Sequence, residues 1–180
     1  MTLNELNDID LSGYKRYLSE TMIGDFMRDA GYEHYRLLNY VCKGKGLAYD
    51  IGTYRGSSAI AMSSAKKVIS YDIRDGLEAK KPKNVTFKIG EAMEDKNILK
   101  ADVILLDTFH EGDYEYEFYQ FLQKGFKGLL ICDDIKLNKA MEEFWGRIIH
   151  PKEDMTAIGH YSGTGFVYFN KRIKRCGSCG

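Results

Sequence analysis

The sequence predicts an α/β fold: a doubly wound, mostly parallel sheet closed by one reversed strand. Three observations predict it. The stretch from Ala48 to Ile73, AYDIGTYRGSSAIAMSSAKKVISYDI, reads as a buried strand, a glycine turn, a helix and a second buried strand ending in an acid. Two almost continuous apolar runs, DVILLD at 102–107 and GLLIC at 128–132, have the pattern of central parallel strands covered on both faces. Near the end, two short β-type runs at 156–161 and 165–170 flank Ser-Gly-Thr, a hairpin signal.

The elements follow in chain order. Residues 11–42 carry two helical stripes, Leu18, Met22, Phe26 and Met27, then Tyr35, Leu38 and Val41, with Gly31 between them. From residue 47 strands and helices alternate. Strands are expected at 47–51, 68–72, 85–89, 102–107 and 128–132, and helices at 57–65, 114–123 and 138–149. The organisation is an N-terminal helical segment over 1–45 that covers the substrate, a catalytic domain over 46–171, and a tail over 172–180.

Composition sets outer bounds. The chain has 180 residues, 44% of them hydrophobic, enough for one domain with a sizeable core. Lys plus Arg and Asp plus Glu each total 26, so no basic excess calls for nucleic acid. No segment approaches the ~20 apolar residues of a membrane span. The polar N-terminus, MTLNELNDIDLSGYKRY, lacks the apolar stretch of a secretory signal, so a cytoplasmic location is the expectation. Cys42 and Cys132 sit in apolar runs and read as reduced core residues. The terminal CGSCG offers Cys176 and Cys179, two of the four ligands of a structural zinc site, and reads as a tail or a boundary in a longer multidomain protein. A homo-oligomer is equally compatible.

Two constellations carry the chemistry. At the first strand-to-helix turn stand Asp50, Gly52, Thr53, Tyr54, Gly56 and Ser57, where glycines allow unusual dihedrals and close approach. Asp72 ends the second strand, followed by Ile73, where a carboxylate can accept both hydroxyls of a ribose. Tyr54 stands where a dinucleotide fingerprint has its second glycine, which argues against a pyrophosphate. The second constellation lies at the ends of the central strands: Asp107 and His110 after one, Asp133 and Asp134 after the other. Adjacent strands lie about 4.8 Å apart, so these groups converge on one pocket. Three carboxylates that close repel one another, and a divalent cation would remove the conflict. Taken singly, Asp133 and Asp134 also suit a helix N-cap, Asp107 a turn, and His110 an exposed loop.

Asp50-x-Gly52-x-x-x-Gly56 resembles the cofactor loop of class I S-adenosylmethionine (SAM) methyltransferases, whose Rossmann-like sheet has seven strands with the last antiparallel. The resemblance covers about Gly46 to Asn170. GTYRGSS, LLDTFHEGDYEYEFYQFL and GLLICDDI are similar to the small-molecule O-methyltransferases related to cephalosporin-biosynthesis, macrolide-sugar and rhamnosyl enzymes. The resemblance implies SAM as cofactor, Mg²⁺ (or Mn²⁺) on Asp107, Asp133 and Asp134, and His110 as general base. Asp133 departs from the Glu of several relatives. Gly90 and Glu91, in IGEA, resemble the adenine-contacting segment. The implied activity is methyl transfer to a hydroxyl of a sugar or another vicinal diol. The alternatives are a metal-independent small-molecule methyltransferase, a nicotinamide-binding oxidoreductase, and a catalytically silent SAM-fold binding module.

Overall fold

The computed structural model describes residues 1–170. The alternation of apolar and helical stretches resolves into one seven-stranded sheet of order β3-β2-β1-β4-β5-β7-β6. β1 (Leu47–Ile51), β2 (Lys67–Asp72), β3 (Val85–Ile89), β4 (Val103–Leu106) and β5 (Leu129–Asp133) are parallel, and β7 (Thr164–Tyr168) runs antiparallel to both β5 and β6 (Lys152–Asp154). The order reverses at β1, whose neighbours are β2 and β4. Ligands bind at such a switch point, beyond the carboxyl ends of the strands.

Each central strand alternates its side chains between two cores. Ala48, Val103, Leu105 and Ile131 face a cluster completed by the N-terminal segment and α4 (Ser57–Met62). Tyr49, Ile104, Leu106 and Leu130 face a second cluster with α5 (Asp113–Leu122) and α6 (Lys139–Arg147). Burial on both faces explains why these strands read as continuous apolar runs.

The N-terminal segment has the two helices expected over 11–42, on either side of Gly31 but shorter, with two further elements before them. It forms α1 (Leu3–Asn7), a 3₁₀ turn (Ser12–Tyr17), α2 (Glu20–Phe26) and α3 (Tyr35–Cys42). A long irregular turn, 27–34, separates α2 from α3. Buried Arg36 holds it in place, donating from Nη1 to the Asn7 carbonyl at 2.9 Å and from Nε to the Arg28 carbonyl at 3.2 Å. Gly31 sits inside that turn at φ +89°, where a Cβ would press on the Ala157 carbonyl. Leu6, Leu11, Leu37 and Leu38 are fully buried, so the segment is part of the core.

The C-terminal hairpin also differs. The strand expected at 156–161 lies at 152–154 instead, and 155–163 form the connection. Local polar bonds outcompete the ladder there. Asp154 accepts from the Thr156 amide at 3.0 Å, and the Ile158 and Gly159 amides turn back to the Met155 carbonyl. The turn releases His160 and Ser162 toward the end of β5. The tail expected over 172–180, with Cys176 and Cys179, lies outside the described residues. Among the described residues no helix is long and apolar enough to cross a membrane.

Candidate active site

The site is built on loops at the carboxyl edge of the sheet. Among the described residues three non-glycine positions have positive φ: Tyr54 (46°), His110 (59°) and Asp134 (55°). All three follow strand ends at this edge. Backbone held in that region costs about 1–3 kcal/mol and persists where its surroundings fix it. Glu115 fixes His110. Its buried carboxylate accepts from the Thr108 hydroxyl at 2.6 Å, the His110 amide at 2.9 Å and the Gly112 amide at 2.8 Å.

One cavity of about 710 Å³ spans the switch point. Gly52, Thr53, Tyr54, Ser57, Asp72, Ile73 and Gly90 line one part of it; Asp107 and His110 line another; Met22, Asp25 and Tyr35 of the N-terminal segment close a side. Asp72 is oriented by backbone donors: Oδ2 accepts from the Tyr54 amide at 2.7 Å and Oδ1 from the Arg74 amide at 2.9 Å. Each oxygen keeps a further acceptor site for a diol. Tyr54 is 70% exposed and offers an open aromatic face at the mouth.

Other expected residues take different places. Asp50 is fully buried, with Oδ2 accepting from the Ser70 hydroxyl at 2.9 Å. Burial pushes its carboxyl up, against the hydroxyls of Thr53, Ser58 and Ser70 around it. Gly52, at φ +90°, is required by packing, because any Cβ would overlap the Asp107 carbonyl. Gly56, at φ +100°, caps α4, and a Cβ there would meet Ala79 and Leu77 at 2.8 Å. Glu91 accepts from the Tyr114 hydroxyl at 2.7 Å and faces a neighbouring hollow with Lys88 and Asp95, whereas Gly90 reaches the main cavity.

The acids at the ends of β4 and β5 lie close together as the spacing suggests, but only Asp107 lines the cavity; Asp133 and Asp134 are buried beside it, and not alone. Three of the chain's four histidines join them. His110 Nε2 lies 3.2 Å from Asp107 Oδ1 and 3.3 Å from Asp134 Oδ2, without an aligned hydrogen bond to either. His34, which precedes α3, places Nδ1 3.0 Å from Asp133 Oδ1. His160 places Nδ1 3.3 Å from Asp133 Oδ2 and 3.1 Å from Asp134 Oδ1. Ser162 donates to Asp134 Oδ1. The acids therefore do not depend on a cation alone for neutralisation.

The electrostatics follow from this contact pattern. Burial, then the Asp133 charge, pushes the Asp107 carboxyl up to about 6. Burial acts the same way on Asp133, but the imidazoles of His34 and His160 outweigh it and hold that carboxyl well below its ordinary range. For His34, His110 and His160 burial favours the neutral ring, yet the facing carboxylates prevail. All three are raised, His160 to about 11.

His34, His160, Ser162, Glu33 and Glu115 also belong to the site, and sequence pattern does not single them out. The usable signals were weak: an acid–histidine pair, Glu33–His34, just before a helix, and His160 between the glycines at 159 and 163.

No family model and no curated protein sequence matches the chain. Solved structures do. The chain is similar to the O-methyltransferase TomG from Streptomyces achromogenes, involved in tomaymycin synthesis and solved with SAM, at TM-score 0.54 and 13% identity over 93% of this chain and 99% of that one. It is similar to the methyltransferase PaMTH1 from Podospora anserina, solved with bound SAH, at TM-score 0.53 and 13% identity over 74% and 77%. The fold is the class I methyltransferase fold. At such identities the likeness speaks for the methyltransferase fold alone. The chain also spans about half, 47%, of a longer Streptococcus mutans protein that it matches over 74% of its own length, at TM-score 0.50 and 14% identity.

Proposed function

We propose that the protein is a SAM-dependent O-methyltransferase acting on a hydroxyl of a sugar or another vicinal diol. One observation carries the reading: a single cavity joins the Gly52 turn and Asp72 to Asp107 and His110. Donor and base would thus share one space. The likeness to SAM- and SAH-bound methyltransferase structures supports the choice of cofactor. Tyr54 in the glycine turn counts against a nicotinamide dinucleotide.

The cavity suits SAM. Asp72, held by two amides, would accept the ribose hydroxyls, and Tyr54, Ile73 and Gly90 would flank the adenine. SAM carries an already activated methyl, so the protein mainly aligns donor and acceptor. His110 is the residue to take the acceptor's proton. Its Nε2 faces Asp107 and Asp134, which favours the proton on that nitrogen and leaves Nδ1 with the free lone pair. The same two carboxylates stabilise the imidazolium that forms. Glu115 sets the loop that presents the ring.

A divalent cation is the second component of the proposal. Asp107, Asp133 and Asp134 would hold it, and when bound it would lower the pKa of a coordinated hydroxyl. Of these, Asp107 and Asp133 offer donor atoms within 4.8 Å of one another. An all-oxygen set of that kind suits Mg²⁺ or Mn²⁺.

The test is methyl transfer from labelled SAM to a panel of sugars and other vicinal diols, with Mg²⁺, Mn²⁺ or chelator. The reading expects label on a diol acceptor and loss of turnover in chelator. Turnover that survives chelator selects the metal-independent form, and failure across the panel with intact SAM binding removes the diol assignment.

A further inference from the structure

We propose a second metal site, for a divalent first-row transition cation such as Zn²⁺, formed by His34, Asp133 and His160. The proposal does not rest on the methyl-transfer reading; Asp133 is common to both cation sites, and a cation held here would leave Asp107 and Asp134 to hold the other. The three side chains come from elements far apart in sequence: the turn before α3, the end of β5 and the β6–β7 connection. Each offers one donor atom, and the three atoms lie within 4.8 Å of one another. His34 Nδ1 and Asp133 Oδ1 are 3.0 Å apart, and His160 Nδ1 and Asp133 Oδ2 are 3.3 Å apart. Ligand atoms about 2.0–2.2 Å from a tetrahedral zinc stand roughly 3.3 Å from each other, close to the separation of each imidazole nitrogen from its own oxygen of Asp133.

The surroundings favour a cation over hydrogen bonding alone. His160 Nδ1 has three oxygens around it: Ser162 Oγ at 3.0 Å, Asp134 Oδ1 at 3.1 Å and Asp133 Oδ2 at 3.3 Å. One ring proton can serve only one of them well, whereas a cation at their centre would serve several at once. His34 and Asp133 are almost fully buried, so the ligands are held in place. Glu33 stands behind His160, with Oε2 3.7 Å from Nε2. A carboxylate behind a ligating imidazole is the usual support in metal sites. Two imidazoles and one carboxylate select transition cations over Mg²⁺. Binding releases the ring protons that now face the carboxylate. The cation would pin the N-terminal segment and the β6–β7 connection to the end of β5.

The experiment titrates chelator-treated, full-length protein with Co²⁺ and with Zn²⁺. The proposal expects one tightly bound equivalent that persists in Asp107→Asn, with a Co²⁺ absorption spectrum of low coordination number. It also expects a thermal midpoint that rises with Zn²⁺, as any ligand selective for the folded state produces. His34→Gln and His160→Gln should each weaken binding at least tenfold, and Asp107→Asn should leave it within about twofold. X-ray absorption on the Zn²⁺-loaded wild type, which needs no variant to fold, should show two imidazoles per metal. Fewer than two imidazoles, no retained metal, or metal lost with Asp107→Asn but kept in His34→Gln overturns the proposal. The last pattern would place the cation with Asp107 and His110 instead.

Discussion

The two halves of the sheet's carboxyl edge are assembled differently. The β1–β2 half is local: Gly52 through Ser57 and Asp72 fall within one strand–helix–strand unit, and their geometry is set by backbone donors such as the Tyr54 and Arg74 amides. The β4–β5 half is recruited. Asp107, His110, Asp133 and Asp134 come from adjacent strands, but His34 arrives from 99 residues before Asp133 and His160 from 27 after it. A local binding surface needs only turn chemistry. A buried cluster of charges must be neutralised, and here the whole fold supplies the partners.

The largest effect should come from the recruited half. His110→Ala is expected to lower kcat by roughly 10²–10⁴, with little change in KM for SAM. The wild-type rate should rise with pH along a limb above the ordinary histidine value of 6.5, because the facing carboxylates raise His110, and the variant should lose that limb. A pH–rate profile of both proteins checks this. Retention of normal kcat and the same limb would move proton removal away from His110.

A smaller effect is expected where the halves meet. Gly52→Ala should destabilise the fold by about 1–3 kcal/mol, since the new Cβ would overlap the Asp107 carbonyl at a φ of +90°. Thermal melts report it, and an unchanged midpoint would mean that β1 and β4 can separate freely. The glycine would then serve the ligand instead of the packing.

The smallest is a stability slope in chelator-treated protein. His160 is raised to about 11, so its imidazolium contribution is complete below 6.5 and fades as pH rises through the folded value. Asp107 acts with the same sign at lower pH. Its folded carboxyl holds its proton up to about 6 against an ordinary 3.8, so stability falls as pH rises through that window. Denaturant titrations between about pH 7 and 9 should show a decline with pH that His160→Gln flattens. An equal slope in the variant would assign it to other groups.

The same division explains what was legible in the sequence. The parallel strands, the glycine turn after β1 and the proximity of Asp107, His110, Asp133 and Asp134 follow from apolar runs and strand-end positions, and the structure has them. The strand expected at 156–161 failed because Asp154, Thr156 and the Met155 carbonyl bond locally and turn the chain. The two N-terminal helices stand on either side of Gly31 as expected but are shorter, because Arg36 stabilises an irregular turn between them through carbonyls no periodicity reveals. His34 and His160 carry only weak local signals, an adjacent Glu33 and flanking glycines. Their roles exist only after tertiary packing brings Asp133 between them. Gly52 and Gly56 were legible as necessary glycines, but the close contact that needs them is with Asp107, Ala79 and Leu77 of the protein itself.

The central claim is that the cavity at the β1–β2 half binds SAM through Asp72. Titration calorimetry of wild type and Asp72→Ala with SAM, and of wild type with NAD, tests it most directly. The carboxylate would make charge-assisted bonds worth roughly 1.5–3 kcal/mol each, so the account predicts SAM binding at one equivalent, weakened at least tenfold in a folded Asp72→Ala, and no binding of NAD. Equal SAM affinity in the variant, or NAD bound in preference to SAM, would contradict it.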